Sequence, residues 1–299
     1  MLDIVKKPCQ NEFNVVGVLN EINVKEGTSS KTNDNYISID LSVRVDQEVN
    51  GEATENIIPV SLFASRHKKG TTELNVNYDR LVSYKENLTS LGSVDKGEEN
   101  LASKVAIQAE IKENSFYGKN GTLVNGWRLS TNFVNNQRST DEEGATFVIT
   151  GVVAKKYRET NKDGDETGKL IVKLCLITYG GTANVIDFVA YGSKADYIDE
   201  HWQKGDTIKC AGYVSITSEV VETKEESGFG DPIVHKKTIS KRELIIDRGC
   251  KEGLEDAYAY DADDIKVALD KRQAYLASLE ENAKKAPAKP AKNNTEFNF

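Results

Sequence analysis

The chain has 299 residues, 38% of them hydrophobic, with 5 prolines, 4 cysteines and a formal net charge of −8. That length accommodates two domains, the apolar share excludes a largely disordered body, and no apolar run approaches the roughly 20 residues that span a bilayer. The acidity is spread along the chain, which excludes a strongly basic nucleic-acid domain and confines any polyanion site to a local patch whose field is focused in a groove.

In chain order, residues 1–12 read as a short polar arm carrying Lys6 and Lys7. The stretch MLDIVKKPCQ has no apolar core and no cleavage signature, so a cytoplasmic location is expected, that of the host if the protein is phage-encoded. Phe13–Val24, Tyr36–Val45 and Asn56–Ser65 alternate apolar and polar residues as half-buried strands do. A long connection follows Phe63, with a helix expected from about Asn77 to Leu91, before a fourth strand at Ala102–Ile111. The next segment reads as a hairpin with its tip at Gly118–Gly121. An acidic linker covers residues 136–144 between a first domain at 1–135 and a second at 145–250.

The second domain repeats this grammar. Phe147, Gly151 and Val152 stand in the same relative places as Phe13, Gly17 and Val18. A polar turn from Asn161 to Lys169 leads to Leu170–Tyr179, where Leu170, Val172, Leu174 and Leu176 are expected on one face and Lys173 on the other. Val185–Gly192, a helical turn, Lys204–Ile216 and a hairpin with Gly228 to Pro232 at its tip complete the unit. An internal repeat outranks single-residue propensity. Five short strands with a helix after the third give an all-β fold of two tandem OB-fold barrels, each a five-stranded Greek key. Residues 251–285 favour helix, with an apolar stripe of Ile265, Ala268, Leu269, Leu276 and Leu279. Residues 286–299 read as a disordered Pro/Ala/Lys tail.

Cys9, Cys175, Cys210 and Cys250 lie far apart, and Cys175 and Cys210 fall inside strand patterns, as expected of reduced thiols packed as small apolar groups. The segment NKDGDETG is a poor calcium loop: the twelfth position from Asn161 is Val172, where a bidentate Glu is required, so it reads as a hairpin turn. His67, His201 and His235 form no ligand spacing with the cysteines. No phosphate loop and no nucleophile–base–acid grouping is evident. Neither an enzyme nor a bound cofactor or metal is expected.

An OB barrel is a platform, and function rests on its groove. Sequence-tolerant binding of a single strand needs cations along the phosphates and exposed rings under the bases. Both kinds of residue cluster here. Phe63 precedes Arg66, His67, Lys68 and Lys69; the first hairpin holds Phe116, Tyr117, Lys119, Trp127 and Arg128. The second domain offers Lys155, Lys156, Tyr157, Arg158, Lys173, Tyr179 and Tyr191, with Lys236, Lys237, Lys241 and Arg242 on its last hairpin. Each has a plainer reading: Phe63, Tyr191 and Trp127 as core or strand-end fillers, Trp202 as core, and the lysines as a solvated face.

The segment VIDFVAYGSKADYIDEHWQKGDTIKCAGYVSI resembles the third strand, helix and fourth strand of the bacterial and phage single-stranded DNA-binding protein family. The resemblance covers most of residues 147–216 and, more weakly, 13–134. It implies that Tyr191 stacks a base, that Phe63 occupies the matching place, that Phe116 and Tyr117 sit where the family stacks another, and that Tyr179 lies near a further family aromatic. That family usually has one barrel per chain and forms tetramers, so two barrels imply a monomer or homodimer. Its tail tip recruits replication enzymes, a place held here by Glu296, Phe297 and Phe299, with replication or recombination proteins as the implied partners. The expectation is sequence-tolerant single-stranded DNA binding and protection in replication, recombination or repair. The alternative, favoured by net acidity, is a protein-interaction or virion structural module. RNA stays open, since the same groove physics serves it.

Overall fold

The structure is a computed structural model that describes residues 9–49, 52–118, 121–138, 140–225, 233–255 and 258–285. In chain order the elements are β1 (Asn11–Thr28), β2 (Asn35–Val49), β3 (Glu52–Ser65), α1 (Val76–Asn87), β4 (Lys104–Glu113), β5 (Phe116–Tyr117), β6 (Leu123–Val124), β7 (Trp127–Ser130) and β8 (Asn135–Asn136). They continue with β9 (Gly144–Thr160), β10 (Glu166–Ile177), β11 (Ala183–Tyr191), α2 (Gly192–His201), β12 (Thr207–Glu225), β13 (Ile233–Gly249) and α3 (Ala262–Lys285).

Strand alternation closes two barrels. Phe13, Val15 and Leu19 on β1, and Ile37, Ile39, Leu41 and Val43 on β2, point into the first interior. The first barrel runs β1-β2-β3-β7-β4 and back to β1, with β3 and β7 parallel. The second runs β9-β10-β11-β13-β12 and back to β9, with β11 and β13 parallel. Both have the OB order and a helix after the third strand. The fold is therefore all-β, with two tandem OB barrels and a C-terminal helix.

The helix after the third strand is shorter than its sequence pattern suggests. The Asn75 side chain caps α1 by accepting from the Asn77 N–H at 3.1 Å, and Leu88 leaves the helix in an extended conformation. Leu91–Ser93 is a separate 3-10 turn. In the second barrel Trp202 is 1% exposed and donates its Nε1–H to the Cys250 carbonyl at 3.0 Å, which makes it core.

The barrels join through antiparallel pairing of β1 with β9, in which Phe13 lies opposite Phe147. These repeat-equivalent rings stack at 5.3 Å, and Phe188 meets Phe147 edge-on. One apolar cluster runs through both barrels. Matching polar clamps flank the seam. Asn56 Oδ1 accepts from the Ile216 N–H at 2.7 Å, and Asn184 Oδ1 accepts from the Glu113 N–H at 3.2 Å. The two halves are thus related by a pseudo-two-fold axis through the phenylalanine pair.

Gly17 and Gly151 stand where the first strand of each barrel crosses closest to the second. A Cβ on Gly17 would lie 2.2 Å from the Arg44 carbonyl oxygen, and one on Gly151 would lie 2.7 Å from Leu176 Cδ2. The backbone obstacle at Gly17 cannot swing aside. Gly17→Ala therefore costs about 2 kcal/mol of stability, the usual scale of overpacking, read as a lowered denaturation midpoint; an unchanged midpoint refutes the crossing as the reason for glycine.

Two further expectations change. Cys9 is not part of a free polar arm: it is buried, its N–H donates to the Ile177 carbonyl at 2.9 Å, and its Sγ accepts from the Ile177 N–H at 3.1 Å. Nor is β10 one-sided. Ile171 and Cys175 are buried along with Leu170, Val172, Leu174 and Leu176, leaving Lys173 partly exposed. Burial and nearby Cys9 push the Cys175 thiol up to about 12. The α3 stripe does face inward, with Ala268 and Leu276 buried and Ile265 and Leu269 packed on the core. No helix among the described residues is long and apolar enough to cross a membrane.

Candidate nucleic-acid interface

On the first barrel, Phe63 pairs with Ser38 while Tyr36 pairs with Ser65, so the two rings are diagonal neighbours on one face. They stack at 5.7 Å with 28° between planes. Phe63 is 57% exposed because Leu62 and Ala64 take the inward positions. The pair walls a groove of about 1130 Å³ between the β1–β2 turn and the segment after β3. His67 and Lys68 lie inside its rim with Lys69. His67 Nδ1 meets Asp34 Oδ1 at 2.8 Å, and that contact, with the His67 N–H, holds the Asp34 carboxyl below its ordinary range. Lys68 is paired with Glu73 at 2.8 Å. Arg66 and Lys69 are exposed and have no carboxylate partner among the described residues.

The first hairpin is divided. Phe116 on β5 is 49% exposed and faces Val124 across β6. Tyr117 is half-buried, and α3 packs against β5. Trp127 is also half-buried, with the Arg242 guanidinium from the second barrel 4.2 Å above its ring. Arg128 is exposed, without a described carboxylate partner. Lys119 lies outside the described residues.

The second barrel uses its cations differently. Lys155 is exposed and sits 5.1 Å from the centre of the exposed Tyr157 ring. Alternation turns Lys156 and Arg158 the other way, onto α2. Lys156 donates to the Asp199 carbonyl, and Arg158 pairs with Asp196 at 2.8 Å and Asp199 at 3.2 Å. Those two charges hold the helix. Lys173 is paired with Asp187 across the strands at 2.7 Å. Tyr179, at the β10–β11 turn, is 71% exposed and makes no ring contact among the described residues. The side chains of Lys236 and Lys237 lie outside the described residues, as do Glu296, Phe297 and Phe299.

Tyr191 is half-buried. Its Oη donates to Glu243 Oε2 at 2.8 Å, and Lys169 Nζ lies 5.9 Å from its ring centre. Lys169 is paired with Glu243 at 2.9 Å and Glu159 at 3.3 Å; Lys241 meets Glu243 at 3.1 Å. Burial pushes the Glu243 carboxyl up, but hydrogen bonds from Lys169, Tyr191 and Lys241 outweigh it, and the net shift is downward. The Tyr191 phenol moves up through burial and the adjoining Glu243, so it remains a donor.

Sequence reading missed Tyr36 and Glu243. Tyr36 becomes visible only through strand register, which sets it diagonal to Phe63. Glu243 sits in a run of cations, KRE, and only the parallel closure of β13 beside β11 turns it towards Tyr191. Among the described residues, no three His, Cys, Asp or Glu side chains gather as metal ligands.

Comparison with known proteins gives one family match: the model described as YorF covers residues 10–282. No curated protein matches. Among solved structures, a deletion mutant of the single-stranded DNA binding protein from Thermus aquaticus is similar at 12% identity, covering 83% of this chain and 97% of that one, with a TM-score of 0.49. The wild-type protein from Thermus aquaticus is similar at 11% identity, covering 85% and 98%, with a TM-score of 0.48. The small single-stranded DNA-binding protein from Streptomyces coelicolor is similar at 8% identity, covering 43% and 94%, with a TM-score of 0.26.

Proposed function

The chain belongs to the YorF family, and we propose that it binds single-stranded DNA, largely without regard to sequence, through the groove of its first barrel. The observation that carries this reading is the Tyr36–Phe63 stack, with Phe63 open to solvent, in one groove with Lys69, which no described carboxylate neutralises. The exposed Phe63 ring, backed by Tyr36, offers a face on which an unpaired base can stack, whatever its identity. Lys69, at the groove's rim, would meet a flanking phosphate. A net charge of −8 opposes this at long range, so binding depends on the local contacts and weakens as salt rises.

The role that suits such binding is to cover exposed strands during replication, recombination or repair. The test is a fluorescence-anisotropy titration with oligo-dT, a duplex and an RNA of equal length. The expected result at low salt is roughly sub-micromolar affinity for the single DNA strand and weaker binding of the duplex, whose base faces are already stacked. Equal or absent binding of all three overturns the reading and leaves a protein-interaction module.

A further inference from the structure

The pseudo-two-fold axis allows the two grooves to be compared residue by residue. Gly17 pairs with Val105 as Gly151 pairs with Ile208. Equal steps along β4 and β12 from those points reach Lys112, which pairs with Arg128, and Ser215, which pairs with Glu243. The same axis sets Phe63, opposite Ser38, onto Tyr191, opposite Lys169. The clamp residues Asn56 and Asn184, equally spaced from those rings, confirm the match. Equivalent places therefore hold Phe63 with Arg128 in the first barrel, and Tyr191 with Glu243 in the second: the charge is reversed.

We propose that Glu243 closes the second groove to phosphates, so that the two barrels are unequal: the first carries the strand and the second is a self-neutralised copy. This rests on the single-strand reading above. The second groove has the parts for the same task, but those around Tyr191 are already engaged. Glu243 Oε1 holds Lys169 at 2.9 Å and Lys241 at 3.1 Å, while Oε2 holds the Tyr191 hydroxyl at 2.8 Å. A phosphate approaching Lys169 meets a carboxylate that is already in place, and a base approaching Tyr191 meets a ring tethered by its hydroxyl. Glu159 and Asp187 occupy two cations of that face, Lys169 again and Lys173, while Lys155, opposite Lys173, lies beside the Tyr157 ring with no carboxylate partner among the described residues. In the first barrel the nearby carboxylate Glu110 meets Lys112 at 3.8 Å, and Arg128 itself makes no ion pair among the described residues.

The experiment is Glu243→Gln in the full chain. Glutamine keeps an acceptor for Tyr191 while removing the charge. Affinity for a long oligo-dT is expected to rise about tenfold, the occluded length on poly-dT about to double, and the salt dependence to steepen by about 0.7 for each new phosphate contact. Tyr191→Ala is expected to leave the unaltered chain's binding unchanged and to cancel the gain in E243Q. Unchanged affinity and footprint in a folded E243Q overturn the proposal, as does weakened binding in Tyr191→Ala alone. That second variant decides the matter if E243Q melts early. Should the unaltered chain and E243Q both fail to bind, the single-strand reading falls too. Binding that is lost in Phe63→Ala but indifferent to Glu243 removes only the inequality of the barrels.

Discussion

Replacing Phe63 by alanine is expected to weaken oligo-dT binding by about one to two orders of magnitude, while leaving the fold intact. A base stacked on an aromatic side chain is worth about 1–3 kcal/mol, and each 1.4 kcal/mol is tenfold in affinity. The ring is 57% exposed and its sequence neighbours Leu62 and Ala64 carry the core contacts, so the melting transition moves little. Tyr36 loses its stacking partner at 5.7 Å, which makes the loss larger than one ring's worth if both rings sandwich or shelve the base. Adding Lys69→Ala to this background lowers the salt slope by about 0.7, the increment for one single-strand phosphate contact. The measurement is a titration at several salt concentrations beside a thermal melt. An unchanged dissociation constant in a folded variant removes the stack from the interface.

The barrels were legible in the sequence because their determinants are local and periodic. Alternation at period two names the inward residues of each strand, and the paired Phe13/Gly17 and Phe147/Gly151 positions reveal the duplication. The stripe on α3 is legible for the same reason at helical period. What alternation cannot supply is the partner. Lys155 and Lys156 are adjacent in one basic run, yet one faces solvent beside Tyr157 and the other reaches the Asp199 carbonyl of α2. The side each takes follows from parity, but the helix it meets is set by the fold. Glu243 and Tyr191 are far apart in sequence and meet only through the parallel closing strands. Cys9 reads as part of a polar arm because a single residue that adds to a strand edge leaves no periodic signal.

The second large effect concerns the junction of both barrels with α3. Arg272 donates to both oxygens of Glu113 at 2.7 Å, Ser115 Oγ donates to Oε1 at 2.6 Å, and the Val185 N–H donates to Oε2 at 3.1 Å. The Glu113 side chain is 8% exposed. Burial alone would raise its carboxyl, but the hydrogen bonds from Arg272, Ser115 and Val185 outweigh burial and hold it below its ordinary value. A depressed folded-state pKa contributes stability above the unfolded value, about 4.3 for Glu, and that contribution is lost as pH falls through the lower folded value. Arg272→Ala leaves a buried carboxylate unpaired. The expected cost is about 3 kcal/mol at neutral pH, the low end for breaking a buried pair. The same substitution removes the helix's anchor between β4 and β11.

The pH dependence of the variant separates charge from packing. Without Arg272 the carboxyl is expected to protonate more readily, so the deficit relative to the unaltered chain shrinks as pH drops below about 4. Chemical denaturation at neutral and acid pH measures this directly. Adding Glu113→Gln to Arg272→Ala recovers much of the neutral-pH loss, because a neutral amide can still accept from the Val185 N–H without leaving a bare charge. If the double variant is no more stable than Arg272→Ala alone, the loss came from undocking α3, and the ion pair serves the helix's position rather than the carboxylate's burial.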